Sequence, residues 1–316
     1  MSTVTQVRAP HTSGARTTPG SGRRRAARRE AAFGYAMASL SLIAVFVFTA
    51  GPIVASFVLA LFKWDIISSP EFVGLRNFQT LVHDQTVTKS LAVTLGLAVA
   101  IVALQVGLGL GLALLVAQRT SKVARTIFRT AFFLPLLASA ASISIVMSYL
   151  FDQHFGVINY YLTMLHLPAV PWLSSTGGAT ATIVLVAVWQ QLGFTFILFV
   201  AALGAVPPDI LEAAKVDGAT PARLFWRIKL PLISPTVLFA GVVGLINAMQ
   251  LFDQPYVMTK GGPGDATYTT VLVVYQTAFQ NLQFGYASAI SVLLFLVLLL
   301  ITAVQFTVSR KWVFYS

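Results

Sequence analysis

The sequence contains no cysteine, few charged residues and four histidines. The absence of cysteine excludes a disulfide scaffold, a thiolate metal site and a cysteine nucleophile. The histidines are too scattered to suggest a metal cluster: His11, His83, His154 and His166. Charged residues are 10% and hydrophobic residues 57% of the 316 residues, whereas soluble domains average roughly 25% charged residues. This composition excludes an ordinary cytoplasmic enzyme, a disordered regulator and a fibrous protein, and it indicates a polytopic helical membrane protein.

Sequence signatures of an enzyme are also missing. No Gly-Lys pair occurs, so the chain has no phosphate-binding loop of the Gly-x4-Gly-Lys-Ser/Thr type. No plausible Ser/His/Asp or paired-carboxylate arrangement is present. The alternating glycines of 107–111 lie in an apolar run with no preceding strand, so they favour close helix packing over nucleotide binding. The sequence therefore predicts no catalytic residue, no cofactor and no metal site in this chain.

Long apolar runs are what the sequence does contain. Each run meets or exceeds the roughly 20 residues that a helix needs to cross a bilayer, and they cover 33–62, 90–117, 128–151, 179–204, 234–257 and 285–308. They lack the alternation of a transmembrane β-barrel strand. Gly51-Pro52 and Pro135 are helix breakers that need neighbouring helices to satisfy the freed backbone groups. We therefore predict an all-α fold, with six transmembrane helices packed as one domain over 33–316.

The positive charges predict the orientation of this bundle. Residues 1–32 are rich in Ser, Thr, Gly and Arg and are predicted to be a disordered basic tail. With the N-terminus inside, the cytoplasmic segments hold 17 of the 21 Lys and Arg residues, as the positive-inside rule requires. The net charge of +11 thus indicates a membrane flank rather than a nucleic-acid partner. Both termini are predicted to be cytoplasmic.

The centres of the predicted spans lack titratable groups. No Lys, Arg, Glu or His lies there, and Asp253 is the one acid near a span. Ion-coupled carriers usually bury such groups, because coupling to an ion needs them. An ion-coupled secondary transporter is therefore the disfavoured alternative, and a membrane component without a pathway is a second one.

The loop over 205–233, between the fourth and fifth predicted spans, reads as two short helices. Asp209 is predicted to cap the first helix, with Glu212 completing a capping box. Gly218 permits the left-handed residue that ends this helix.

The second helix of the loop is predicted to begin after a Thr220 cap, with Pro221 at its first position. Pro231 is expected to stop it. Five apolar residues would be costly if exposed in a plain connector: Leu211, Val216, Leu224, Phe225 and Ile228. They favour docking into a groove on a partner over a helix-turn-helix that merely joins two spans.

The same loop resembles the EAA loop of ATP-binding-cassette importer permeases. Glu212-Ala213-Ala214, Gly218, Ile228 and Leu230-Pro231 match its marked positions at the correct spacing. The resemblance implies that these residues seat in a cleft of a partner ATPase: Glu212, Ala213, Ala214, Asp217, Gly218, Ile228, Leu230 and Pro231.

Further segments resemble the carbohydrate-importer branch of that family. They are Val73–Phe78, Phe132–Pro135, Phe155-Gly156 with Asn159, and Thr259–Pro263. The resemblance implies a type I importer fold in a bacterial plasma membrane, a homologous second permease, an ATPase dimer and an extracytoplasmic solute-binding protein. ATP and magnesium would be bound by the ATPase and not by this chain.

Polar and aromatic residues of the fourth and fifth predicted spans are the candidates for contact with the solute. They are Gln190, Gln191, Phe194, Asn247 and Gln250. They fall in the stretches that contact sugar in maltose-type importers, and this resemblance adds the apolar Leu251. The alternative is that the amides make interhelical hydrogen bonds. The resemblance implies import of a carbohydrate or a sugar-like solute, such as an oligosaccharide or a glycerol-phosphate derivative.

Overall fold

The computed structural model describes residues 21–119 and 122–314. Over these residues the chain is helical apart from its connections and one two-stranded antiparallel sheet. The strands are β1 (Phe62–Lys63) and β2 (Glu71–Phe72). The all-α fold predicted from the sequence is confirmed.

The chain divides after Ala55 into two compact units. The domain boundary expected after residue 32 stays a prediction. The first unit contains α1 (Ser21–Val45), a π-helical segment (Phe46–Ala50) and the beginning of α2 (Gly51–Leu59). The predicted disordered tail is therefore helical from Ser21 onward, because residues 23–32 are Arg, Ala and Glu, all strong helix formers. Its first 20 residues lie outside the described residues.

The second unit holds the remaining helices. Those up to the fourth predicted span are α3 (Arg76–His83), α4 (Gln85–Arg119), α5 (Lys122–Leu137), α6 (Ala140–Leu150), α7 (Val157–Met164) and α8 (Thr176–Gly204). The loop that follows contains α9 (Pro208–Val216), α10 (Pro221–Leu224), a π-helical segment (Phe225–Lys229) and α11 (Leu230–Leu232). The chain then forms α12 (Ser234–Met249), α13 (Thr270–Tyr275) and α14 (Phe284–Ser309), with π-helical segments at Pro255–Thr259 and Gln276–Gln280.

Six candidate spans emerge from these helices. Four are long and apolar enough on their own: Ala32–Leu59, Gln85–Val116, Thr176–Gly204 and Phe284–Ser309. Two more are bent pairs, with Thr130–Leu137 and Ala140–Leu150 meeting at 106° and Pro221–Leu232 and Ser234–Met249 meeting at 67°. With each bent pair counted as one span, the described residues contain six. In the second pair, Ser234–Met249 lies in the fifth apolar run, whereas Pro221–Leu232 belongs to the loop before it.

The third span is interrupted where the sequence predicted a continuous helix. Pro135 lies inside α5, and the helix ends soon after it at Leu137. Ala138 and Ser139 form the break, and α6 leaves in a new direction. The proline is consistent with this break, since it removes a helical hydrogen bond and its ring crowds the preceding turn.

The fifth span is shorter than predicted, because its helix ends at Met249 and not at residue 257. Pro255 lacks the N–H that would bond to the carbonyl of Leu251 in a continuous helix. The hydroxyl of Thr269 donates to that carbonyl instead, at 3.0 Å. The break at 250–252 is therefore stabilised by a residue beyond the span.

The core of the second unit lies where α4, α8 and α12 pack against one another. Phe196 and Phe199 of α8 and Met249 of α12 are fully buried. A polar tie supports this packing, because Gln105 Nε2 of α4 donates to Thr195 Oγ1 of α8 at 2.7 Å. The predicted solute-contact stretches of the fourth and fifth spans are thereby brought side by side.

Candidate coupling loop and solute pathway

The first helix of the loop, α9, begins at Pro208 and not after an Asp209 cap. Pro207 is the N-cap residue and provides no side-chain hydrogen bond. Proline at the first helical position has its φ preset and leaves no N–H unsatisfied. Asp209 consequently lies in the first turn of α9, where its negative charge interacts favourably with the helix dipole. The predicted capping box of Asp209 and Glu212 is therefore wrong.

The end of α9 confirms the role predicted for Gly218. Its φ is +77°, a value that disfavours any side chain. Ala219 N–H donates to the Ala214 carbonyl at 2.9 Å, and Gly218 N–H donates to the Lys215 carbonyl at 3.0 Å. This pair of hydrogen bonds is a Schellman ending. It fixes the direction in which the chain leaves α9.

The second helix of the loop begins as predicted. Thr220 Oγ1 accepts a hydrogen bond from the Arg223 N–H at 3.4 Å. Pro221 occupies the first position of α10. The turn between the two helices is therefore determined by signals within a few residues of it.

Pro231 does not stop the second helix, which continues to Leu232. The preceding turn is π-helical, with the Leu230 N–H bonded to the Phe225 carbonyl. A widened turn gives room for a ring that would otherwise clash with the carbonyl four residues earlier. The same arrangement occurs at Pro52, which follows the π-helical segment Phe46–Ala50.

The predicted ATPase-coupling residues divide by exposure. Those of α9 and its end lie on the surface, namely Glu212, Ala213, Asp217 and Gly218, while Ala214 is half-buried. Ile228, Leu230 and Pro231 are half-buried in the second part of the loop. Of the apolar residues expected to need a partner, Val216 is 89% exposed and Leu224 is 9% exposed. Uncovered apolar surface therefore lies at Val216 on α9, and also at Trp226 in the π-helical segment, which is 65% exposed.

Gln190 is the most enclosed of the predicted solute contacts, with 6% of its surface exposed. Its Oε1 accepts from Nε2 of Gln254 at 2.9 Å, and its own Nε2 donates to the Ala138 carbonyl at a longer 3.5 Å. Gln191 and Phe194 are half-buried. A solute role for Gln190 stays a prediction, since its amide already has protein partners here.

The candidates on the fifth span are more accessible. Asn247 and Gln250 are exposed and lie three residues apart, on one face of the end of α12. Leu251 is half-buried just beyond the helix. The structure thus presents two amides at the point where the fifth span is interrupted.

A polar cavity of about 660 Å³ lies beside β1 and β2, in a connection that the sequence prediction places outside. Charged groups of both signs line it, among them Lys63, Asp65, Glu71 and Arg76. The hydroxyl and N–H of Ser68 donate to the Asp65 carboxylate, and these hydrogen bonds lower the pKa of that carboxyl.

The segment after β1, which lines the cavity, is hydrogen-bonded to the beginning of α14. Phe284 N–H donates to the Trp64 carbonyl at 2.9 Å. At Gly285 a Cβ would overlap the Phe62 carbonyl oxygen, so this position requires glycine. The indole N–H of Trp64 donates to the Ser68 carbonyl at 3.1 Å, which fixes the ring at the cavity wall.

A side-chain hydrogen bond also joins the end of α3 to α14. Tyr286 donates its hydroxyl hydrogen to Oδ2 of Asp84 at 2.7 Å. Partial burial raises the pKa of Asp84, but hydrogen bonds from Tyr286 and from the N–H groups of Thr86 and Val87 outweigh it and leave the pKa lowered. The sequence reasoning missed this pair and Gln254, because each partner lies far away along the chain.

These features together define a polytopic membrane permease. The chain belongs to the family of binding-protein-dependent transport system inner membrane components, whose model matches residues 105–313. That match contains the loop with α9 and both predicted solute-contact stretches. The chain is therefore a multi-pass membrane protein and a permease component of an ATP-binding-cassette transporter.

Individual relatives agree with this assignment. The chain is 33% identical to the probable ABC transporter permease protein YesP of Bacillus subtilis over 92% of this chain and 95% of the relative. It is 35% identical to the trehalose/maltose permease MalF of Thermococcus litoralis, over 89% and 95% respectively. It is also 35% identical to the sn-glycerol-3-phosphate permease UgpA of Agrobacterium fabrum, over 78% and 84%.

Solved structures show the same fold. A chain of a bacterial alginate ABC transporter, crystallised with its alginate-bound periplasmic protein, matches with a TM-score of 0.78 at 23% identity. The match covers 90% of this chain and 96% of that one. At this identity the likeness shows the fold alone.

Proposed function

We propose that the chain is the permease subunit of an ATP-driven importer for a carbohydrate or a sugar-like solute, such as an oligosaccharide or a glycerol-phosphate derivative. The trehalose/maltose and sn-glycerol-3-phosphate relatives support this substrate class. In this proposal, the chain forms the translocation pathway together with a second, homologous permease. Both termini are cytoplasmic, as the distribution of Lys and Arg favours.

One observation supports the proposed coupling to ATP: helix α9 is exposed and ends at the Gly218 turn. A short helix with Val216 uncovered and Ala213 on the surface suits insertion into a cleft. An ATPase dimer beneath the permeases would hold ATP and magnesium, and this chain would be non-catalytic and bind no cofactor. Closure of the dimer would then move α9 and tilt the spans attached to it.

The pathway itself is supported by Asn247 and Gln250. An amide that faces hydrocarbon without a partner is costly, so this exposed face of α12 must meet protein or water in the membrane. Amides also suit the hydroxyl groups of a sugar, since they both donate and accept hydrogen bonds. We propose that Gln191, Phe194 and Leu251 line the same route.

The outer cavity is proposed as part of the surface that receives the extracytoplasmic solute-binding protein. Lys63 and Arg76 beside Asp65 and Glu71 give this surface both signs of charge. Such a pattern favours one orientation of a docked protein over others. It would place the solute above the interrupted ends of the third and fifth spans.

The test is transport by the reconstituted complex. Proteoliposomes with this chain, the second permease, the ATPase and the binding protein should accumulate maltose, trehalose or glycerol 3-phosphate when ATP is enclosed. An ATPase-inactive variant of the partner is the control and should abolish accumulation. Uptake by this chain alone, driven by a proton or sodium gradient, would overturn the proposal in favour of a secondary transporter.

A further inference from the structure

Among the described residues, the two interrupted spans meet at one side chain. The third span breaks at Ala138–Ser139, and the fifth predicted span is interrupted after Met249, where α12 ends before the π-helical segment Pro255–Thr259. Gln190 belongs to α8, which runs without a break for 29 residues. Its amide reaches both interruptions, through the Ala138 carbonyl on one side and the amide of Gln254 on the other.

The two amides are buried, so their hydrogen bonds are not easily exchanged for water. Gln190 is 6% exposed and Gln254 is 4% exposed. The Ala138 carbonyl is at the end of α5, where a helix leaves carbonyl groups without intrahelical partners. Gln190 therefore satisfies a group that the break sets free, and it does so from a different span.

Packing on either side of Gln190 separates the third span into two parts. Toward the Thr176 end of α8, Ile183 and Ala187 share a core with Ile143 of α6 and Met258 of the π-helical segment. Toward the Gly204 end, α5 crosses α8 so closely that a Cβ on Gly193 would overlap the Phe132 carbonyl oxygen. Gln190 lies between these two contacts.

We propose that Gln190 is a positioning residue that fastens both breaks to the continuous span. It holds α6 and the segment 254–259 together as one body, which keeps its internal geometry when the pathway opens and closes. The inference rests on the proposed function, because it assumes a pathway that alternates between two open sides. Of the predicted solute contacts, Gln191 directly follows Gln190, and Gln250 lies at the end of α12, where the fifth span is interrupted.

The test uses the assembled importer, since the chain offers a natural cysteine-free background. Tyr149→Cys at the end of α6 and Lys260→Cys after the π-helical segment lie at exposed positions for paired spin labels. The distance between the labels is measured in the nucleotide-free complex and in the vanadate-trapped complex. We expect one narrow distribution with the same mean in both states.

Three variants remove the tie in steps. Gln190→Leu removes both hydrogen bonds, Gln190→Glu keeps an acceptor for Gln254 but loses the donor to Ala138, and Gln254→Leu removes the bond between the two amides. The control is Gln105→Leu, which also removes a buried interhelical amide, but between the continuous helices α4 and α8.

Broadened or shifted distances are expected in Gln190→Leu, smaller changes in the other two variants, and none in Gln105→Leu. Uptake should fall on the order of tenfold in Gln190→Leu at unchanged KM, with Gln190→Glu in between. A distribution that stays narrow in Gln190→Leu, or that shifts between states in the unaltered chain, overturns the proposal. The nucleotide-free distances test the tie whether or not any solute is transported, so its failure is separable from failure of the proposed function.

Discussion

The coupling loop and the interrupted spans differ in the distance over which their structure is determined. In the loop, Thr220 caps an N–H three residues away and Gly218 ends a helix next to it. In the spans, Gln190 binds partners 52 and 64 residues away. The loop is therefore an exposed segment that its local sequence specifies, whereas the contacts of Gln190 exist only once the bundle has formed.

The two regions also differ in how they should respond to substitution. A change in the loop alters a surface that a partner would contact, and it leaves the bundle packed. A change at Gln190 removes a buried hydrogen bond and acts on the membrane helices themselves. Substitutions in the two regions therefore test this difference, and the largest effect is expected in the loop.

Gly218→Asp should abolish uptake while the protein still inserts into the membrane. At a φ of +77° an L-residue is strained, by roughly 1–2 kcal/mol, and the open space around the position means that no core contact is lost. ATP-driven uptake and the amount of protein in the membrane are measured together. Gly204→Asp, in open space at the end of α8 without a positive φ, should retain uptake. Normal transport in Gly218→Asp would remove α9 from the coupling route.

Glu212→Arg should lower uptake by at least about tenfold, since the change reverses the charge of an exposed group on the face proposed to seat in the ATPase. Co-purification of the ATPase with the permease reports whether docking is lost. Asp209→Arg reverses a charge on the same helix one turn earlier, and it should keep most of the activity. Equal losses in both variants would point to the net charge of α9 rather than to a specific contact.

The sequence allowed prediction of those features that depend on neighbouring residues or on composition. The six spans follow from apolar length, and the Gly218 and Thr220 signals follow from backbone geometry. Local reasoning failed where a proline changed the helix type, because the π-helical turn before Pro231 lets the helix continue.

The contacts of Gln190 could not be predicted for a different reason. Gln190 was identified as a polar residue of interest, but nothing near it specifies Gln254 or the carbonyl of Ala138 as its partners. The break in the fifth span likewise involves a distant residue. Because Pro255 has no N–H to donate, the hydroxyl of Thr269 donates to the Leu251 carbonyl from outside the span. Such contacts are products of tertiary packing.

Gln250→Ala and Asn247→Ala should raise the KM for uptake with little change in assembly. Each removes an exposed amide, and one hydrogen bond to a solute is worth about 1 kcal/mol, which corresponds to roughly a fivefold change. Transport kinetics at several concentrations of loaded binding protein give the KM. Gln280→Ala, exposed at the end of the Gln276–Gln280 segment, is the matched control. Unaltered kinetics in both variants would exclude this face of α12 from the pathway.

The smallest effect is expected at the hydrogen bond between Tyr286 and Asp84, which are far apart in the sequence and only partly buried. The lowered pKa of Asp84 means that its hydrogen bonds contribute stability above pH 3.8, the usual value, and that this contribution is lost as the pH falls below it. Asp84→Asn should lower the thermal unfolding midpoint of the purified complex slightly at pH 7 and flatten its decrease as the pH is lowered below 3.8. Asp209→Asn removes an exposed carboxylate and should preserve the decrease. A parallel decrease in the parent chain and Asp84→Asn would show that other groups determine the acid sensitivity, and that long-range ties matter here only when they are fully buried.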